Sequence, residues 1–208
     1  MSFETWLLFL VVSLAPVISP GPGVLFAITN ALRYGVKITV LIGIINALGI
    51  TTLALVVGFG LGALMNVSII AFTVLKIVGA LYLIWLGVKI WLDRSAFMVE
   101  VEHSSQPAPV RRLSAQALAI SLTNPKAMVA IAALFPPFLN ESAATAPQVI
   151  ILSLSYGVLC ALNHVVIAYS GNWLRRFLNS PKRAQRLRRV TGGAFIGFGT
   201  IMAVSSRP

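Results

Sequence analysis

Apolar residues run along this chain in six stretches, each near the ~20 residues that a helix needs to cross ~30 Å of hydrocarbon. They cover residues 6–28, 38–61, 69–91, 116–139, 149–170 and 191–205, the last being short and bounded by Arg189 and Arg207. The pattern predicts an all-α integral membrane protein with six transmembrane helices. A cleaved signal peptide is the other reading of the first stretch. Its leading residues, Met1-Ser2-Phe3-Glu4-Thr5, hold no lysine or arginine for a basic n-region, so it is read as a span.

The polar connections alternate in charge. Arg33 and Lys37 lie between spans one and two, and Arg94, Arg111 and Arg112 between three and four. Arg175, Arg176, Lys182, Arg183, Arg186, Arg188 and Arg189 lie between five and six, whereas the two even-numbered connections hold no basic residue. Cytoplasmic loops carry the excess of Lys and Arg, which places the odd-numbered connections in the cytoplasm and both termini outside. The segment from Glu100 to Pro107 separates two sets of three spans. The expected organisation is a first half over 1–92, a cytoplasmic linker over 93–115 and a second half over 116–208. With three spans per half, the halves run in opposite directions across the membrane as inverted repeats.

Composition sharpens this. The chain is 58% hydrophobic and only 10% charged, with mean hydropathy +0.91, far from a soluble domain. Its net charge of +11 suits anionic lipid headgroups at the cytoplasmic face rather than nucleic acid. The single cysteine, Cys160, excludes an internal disulfide and any Cys-x-x-Cys redox or metal motif. There is no His-Glu-x-x-His site and no glycine-rich nucleotide loop, so neither an enzyme nor an ATP-driven pump is expected, and no cofactor or metal.

Two spans are interrupted. Span one carries Ser19-Pro20-Gly21-Pro22-Gly23, and span four carries Thr123-Asn124-Pro125-Lys126. Unpaired backbone groups in hydrocarbon cost several kcal/mol, so broken helices persist only where they pack on protein or line a wet cavity. Paired breaks in corresponding positions of two halves point to a solute-binding site. A helix start at Pro22 would offer partial positive charge to a carboxylate. Both breaks are expected toward the cytoplasmic side, facing one cavity formed by Pro20, Gly21, Pro22, Gly23, Asn124, Pro125 and Lys126. Lys126 can meet a solute carboxylate, pair with a carbonyl freed by Pro125, or snorkel to lipid phosphate.

Other polar residues lie inside the spans. His164, beside Asn163, is the group whose unperturbed titration falls in the physiological range, and it is the candidate for proton coupling; an interhelical hydrogen bond is its structural alternative. Lys76 and Tyr82 in span three are secondary candidates. All five acids, Glu4, Asp93, Glu100, Glu102 and Glu141, fall outside the spans, so a cationic solute would find no countercharge. Gly58, Gly60 and Gly62, with Gly193 and Gly197, form small-residue faces suited to helix packing or to a homo-oligomer interface.

Taken as a set, several of these pieces resemble the lysine exporter family of amino-acid effluxers, above all its homoserine/threonine branch. They are Ser19-Pro20-Gly21-Pro22-Gly23, the run from Leu75 to Gly87, Leu122-Thr123-Asn124-Pro125-Lys126 and Ala133-Leu134-Phe135-Pro136-Pro137-Phe138. The resemblance implies a multi-pass inner-membrane exporter of amino acids, driven by the proton gradient, whose partners are its small-molecule substrate and membrane lipid. Two departures stand out. Gly23 occupies a position where the family commonly has asparagine, and Asn163-His164 stands where several relatives carry an acid. An exporter of another small metabolite or ion, and a membrane scaffold without a transport cycle, are the competing readings.

Overall fold

Proline and glycine decide where the helices of this chain stop. The structure, a computed structural model, describes residues 1–19, 21–67, 69–92, 108–140, 142–178 and 180–204. Among these are seven α-helices: α1 Phe3–Ile18, α2 Pro22–Val67, α3 Ile69–Leu92, α4 Val110–Leu122, α5 Pro125–Leu134, α6 Thr145–Leu178 and α7 Pro181–Val204. A 3-10 turn, Pro136–Phe138, follows α5. Most of the expected linker, residues 93–107, lies outside the described residues.

α1 opens on Ser2, whose hydroxyl accepts from the Thr5 N–H at 3.2 Å as an N-cap. It ends at Ile18 because the prolines at 20 and 22 have no N–H to continue the ladder. α2 is 46 residues long and folds back on itself at Gly35, where φ is +77°, a conformation glycine adopts without steric cost. A Cβ on Gly23 would stand 3.6 Å from Asn46 Nδ2. On an unbroken helix these residues would be roughly 35 Å apart, at about 1.5 Å per residue. Residues 22–34 and 36–67 are therefore the two arms of an antiparallel hairpin. By length and apolarity, Pro22–Leu61 and Thr145–Gly171 can each cross a membrane. The fold at Gly35 assigns the first of these crossings to residues 36–61.

The expected connection around Arg33 and Lys37 is thus helical except at one glycine. The basic stretch between spans five and six is helical as well, since α6 runs to Leu178 and α7 begins at Pro181. Hydropathy windows end where charge begins, but arginine and lysine are good helix formers and carry the helices past the apolar boundary.

Two long helix pairs organise the bundle. α2 and α6 run antiparallel, with Gly43 against His164, Thr51 against Gly157 and Gly58 against Val149. α3 and α7 do the same, with Gly87 against Gly192 and Ala80 against Gly199. The second crossing is made by backbone. A Cβ on Gly192 would lie 2.6 Å from the Gly87 carbonyl oxygen, and one on Gly199 would lie 2.8 Å from that of Ala80. Gly60 and Gly197, expected to serve packing, meet nothing within 4 Å. Gly192→Ala should therefore lower the unfolding temperature in detergent despite alanine's helix propensity. The helices must part to admit the methyl, at about 1–3 kcal/mol. Gly197→Ala, on an open face, should raise the temperature slightly. Equal shifts for both would refute the close crossing.

The bundle's outer faces are apolar. Leu154, Val158, Leu162 and Val166 recur every fourth residue along α6 and are all exposed. Leu7, Leu8, Val11, Leu14 and Ile18 form an exposed stripe on α1 at three- and four-residue spacings. Stripes this continuous need an apolar surrounding. Inside, the Phe9 ring meets those of Phe135 and Phe138 edge-on, at centroid distances of 5.8 and 5.3 Å. One end of the bundle gathers the basic residues. Arg33 and Lys37 flank the Gly35 turn, and Leu113, just after Arg111 and Arg112, packs with Ile42, Tyr34 and Ile38 beside that turn. Gly171 of α6 reaches the same end, 3.2 Å from Ala31 when given a Cβ, ahead of the basic run that starts at Arg175.

Candidate functional site

The helix breaks face each other. α1 ends at Ser19, and the last turn of any helix leaves carbonyls without donors. Two of these find partners on other helices: Asn163 Nδ2 of α6 donates to the Val17 oxygen at 3.2 Å, and Lys126 Nζ of α5 donates to the Ser19 oxygen at 2.6 Å. The lysine reaches across because position 21 has no side chain. A Cβ there would lie 3.0 Å from Lys126 Cδ and 3.2 Å from Nζ. An ammonium at the C-terminal end of α1 also complements the partial negative charge of that helix end.

The second break is a helix start. Asn124 caps α5, its Oδ1 accepting from the N–H groups of Lys126 at 3.1 Å and Ala127 at 3.3 Å, with Pro125 in the first turn. α4 and α5 meet at a 45° bend. Asn124 therefore occupies the first amides of α5. At α2 the outcome differs, since Leu25 is the first residue with a backbone bond into this turn, to the Gly21 oxygen at 2.9 Å. The Gly23 N–H has no protein acceptor among the described residues.

One cavity lies between these breaks, bounded by Gly21 and Gly23, Asn124 and Lys126, and Asn163 and His164. Its water-accessible space is about 50 Å³, room for only a few waters at ~10–15 Å³ each. Pro22 heads α2 but does not line this space, and the side chain of Pro125 lies outside the description. Pro20 lies outside the described residues. Lys76 and Tyr82 belong to α3, and their side chains lie outside the description. Asn46 stands eleven residues beyond the Gly35 turn, roughly 16 Å along the helix at ~1.5 Å per residue. Lys126 turns inward to the Ser19 carbonyl.

His164 is 5% exposed, and its Nδ1 lies 2.8 Å from the Cys160 carbonyl oxygen one turn earlier. A carbonyl only accepts, so Nδ1 carries the hydrogen and the neutral ring presents Nε2 as a bare lone pair. Nε2 is buried without a hydrogen-bond partner. The Gly23 carbonyl lies within electrostatic reach of the ring but does not satisfy it.

Asn46 was not singled out from sequence. It is 4% exposed, its Nδ2 donates to the Ala117 oxygen at 3.3 Å, and its Oδ1 has no protein donor among the described residues. It faces the place where a side chain at position 23 would project. A carboxamide thus stands in the cavity at this point, supplied by α2's second arm. The signal was available, because an amide in the middle of an apolar span is costly unless it has a task. Tyr156 and Cys160 complete the wall contributed by α6.

Helices with apolar outer faces around a small polar cavity define an all-helical membrane protein. The chain belongs to the LysE family of translocators, whose model, described as LysE type translocator, matches residues 14–206. It is similar to an uncharacterized membrane protein of Vibrio cholerae, 33% identical over 99% of both chains. It is also similar to the homoserine/homoserine lactone efflux protein of Salmonella typhimurium, 32% identical over 98% of both chains. The leucine efflux protein of Enterobacter is 29% identical over 90% of this chain and 89% of its own length. No solved structure matches the chain. The family consists of transporters.

Proposed function

We propose that the protein is a secondary exporter of neutral amino acids, homoserine- or threonine-like in size, coupled to the proton gradient of the inner membrane. One observation carries the proposal: both helix breaks, a lysine and a histidine wall one mid-bundle cavity that no carboxylate among the described residues lines. A zwitterion suits it, since its carboxylate can turn to Lys126 Nζ and the Gly23 N–H. A cationic side chain would be desolvated without a countercharge. The relatives named for homoserine and leucine efflux fall within the same substrate class.

The transport unit is six spans in two inverted halves, with α1 and residues 22–34 as the first broken span and α4 and α5 as the fourth. Antiparallel pairing of α2 with α6 and of α3 with α7 supports this, because helices at equivalent places in inverted repeats run in opposite directions. The collected basic residues mark the cytoplasmic end, with both termini outside. The cavity is too tight for an amino acid, so the halves must part slightly to load it. His164 is the proton-carrying group, as no acid lies within the spans.

Flux in proteoliposomes under an imposed proton gradient tests the proposal. Threonine, homoserine or leucine should accumulate at least about tenfold faster than lysine or arginine, for a penalty of ~1.4 kcal/mol or more on the unpaired cation. Flux of no amino acid would dismiss the exporter, leaving another solute or a scaffold role. Faster lysine or arginine flux would reverse the assigned selectivity.

A further inference from the structure

The cavity wall holds one buried acceptor without a donor, His164 Nε2, beside two oxygens with lone pairs to spare. His164 Nε2 presents a lone pair because Nδ1 is committed to the Cys160 oxygen at 2.8 Å. The Gly23 carbonyl lies beside the same ring. Asn46 turns its Oδ1 away from Ala117, because its Nδ2 must face that carbonyl to donate. All three lie on the cavity, on α2 and α6, across from Lys126. A buried acceptor without a donor, as His164 Nε2 is, is unfavourable, and a native fold retains one where a ligand supplies the hydrogen.

We infer that the notch between His164 Nε2, the Gly23 carbonyl and Asn46 Oδ1 is the seat of the substrate's ammonium group. This rests on the exporter reading and deepens it by fixing the substrate's orientation: carboxylate toward Lys126, ammonium toward His164. A primary ammonium has three N–H donors, matching the three acceptors. A proton on Nε2 takes the same lone pair and turns it into a donor of like charge. Proton and substrate therefore exclude each other at one atom, which is the logic an antiporter requires. The other titratable groups at this wall are Lys126 on α5 and Tyr156 and Cys160 on α6 itself; α1 and α2 contribute none to the cavity lining.

Analogue competition tests the seat in the full-length protein. Exchange of radiolabelled threonine or leucine across proteoliposomes is measured against the same amino acid and against its N,N,N-trimethyl form, which keeps the charge and loses every N–H. The trimethyl form should compete about tenfold or more worse, the worth of a charge-assisted hydrogen bond. His164→Leu and Asn46→Leu should shrink that ratio severalfold, whereas His164→Gln, whose carbonyl oxygen can replace Nε2 as acceptor, should keep it. A purely steric objection to the methyl groups would survive in all three variants, and a purely structural role would lower both ligands together. Equal competition by the two ligands in the wild-type protein overturns the seat and leaves the exporter standing. An unchanged ratio in the leucine variants overturns it too. Absence of any amino-acid exchange overturns the exporter reading itself.

Discussion

Lys126→Met should weaken carboxylate-bearing substrates by about 10- to 150-fold, the equivalent of one charge-assisted hydrogen bond at ~1.5–3 kcal/mol. The methionine fills similar volume but leaves the Ser19 carbonyl without the donor that now stands 2.6 Å away. It also leaves the end of α1 without a cation. Two effects follow, and they separate experimentally. Loss of the Ser19 contact lowers the unfolding temperature, while loss of the carboxylate partner raises the half-saturation concentration. A lysine that served structure alone would change the first and spare the second. Lys126→Arg keeps the charge but should rescue poorly, because the present side chain crosses position 21 with Cδ only 3.0 Å from where a Cβ would stand. Gly21→Val should reproduce part of the Lys126→Met defect by closing that passage.

His164→Gln should abolish proton-driven accumulation while exchange of substrate down its own gradient continues. Glutamine can hydrogen bond to the Cys160 oxygen and present an acceptor to the cavity, but it carries no titratable proton. The separation between coupled and uncoupled flux is therefore the diagnostic, and it should approach completeness because no carboxylate among the described residues lines the cavity. Ring placement matters as well. A Cβ on Gly43 would lie 2.5 Å from His164 Cβ and 3.1 Å from Cγ, so Gly43→Ala should displace the ring and impair coupling without touching the titrating group. Full gradient-driven transport by His164→Gln would move the proton route elsewhere or remove coupling.

Much of this architecture was legible in the sequence, for reasons that differ by region. Helix breaks at residues 19–22 and 123–125 could be read because proline's missing N–H acts locally, whatever surrounds it. Asn124-Pro125 is also a helix-start signature, and the cap it forms occupies the first amides of α5. Helix ends near charge were misjudged, since hydropathy reports the bilayer rather than the backbone: Arg33 lies within a helix, and the turn falls at Gly35. The carbonyl Lys126 meets, that of Ser19, was not among its three candidate partners and is 107 residues away. No local pattern contains that pairing. The tautomer of His164 likewise depends on the Cys160 carbonyl one turn earlier, which only a built helix brings into place. Asn46 was overlooked because attention stayed on prolines and charges, although an amide inside span two carried the same physical warning.

The central claim is that the cavity between the two breaks is where the amino acid passes, and the chain carries its own reporter. Cys160, its single cysteine, lines that cavity at 9% exposure. The decisive measurement is the rate at which a small, membrane-permeant methanethiosulfonate modifies Cys160 in reconstituted protein, with and without saturating threonine or leucine. The substrate should slow modification severalfold, and the modified protein should lose efflux while Cys160→Ala stays insensitive to the reagent. Modification that proceeds at the same rate with substrate present, or that leaves efflux intact, would contradict the cavity's role.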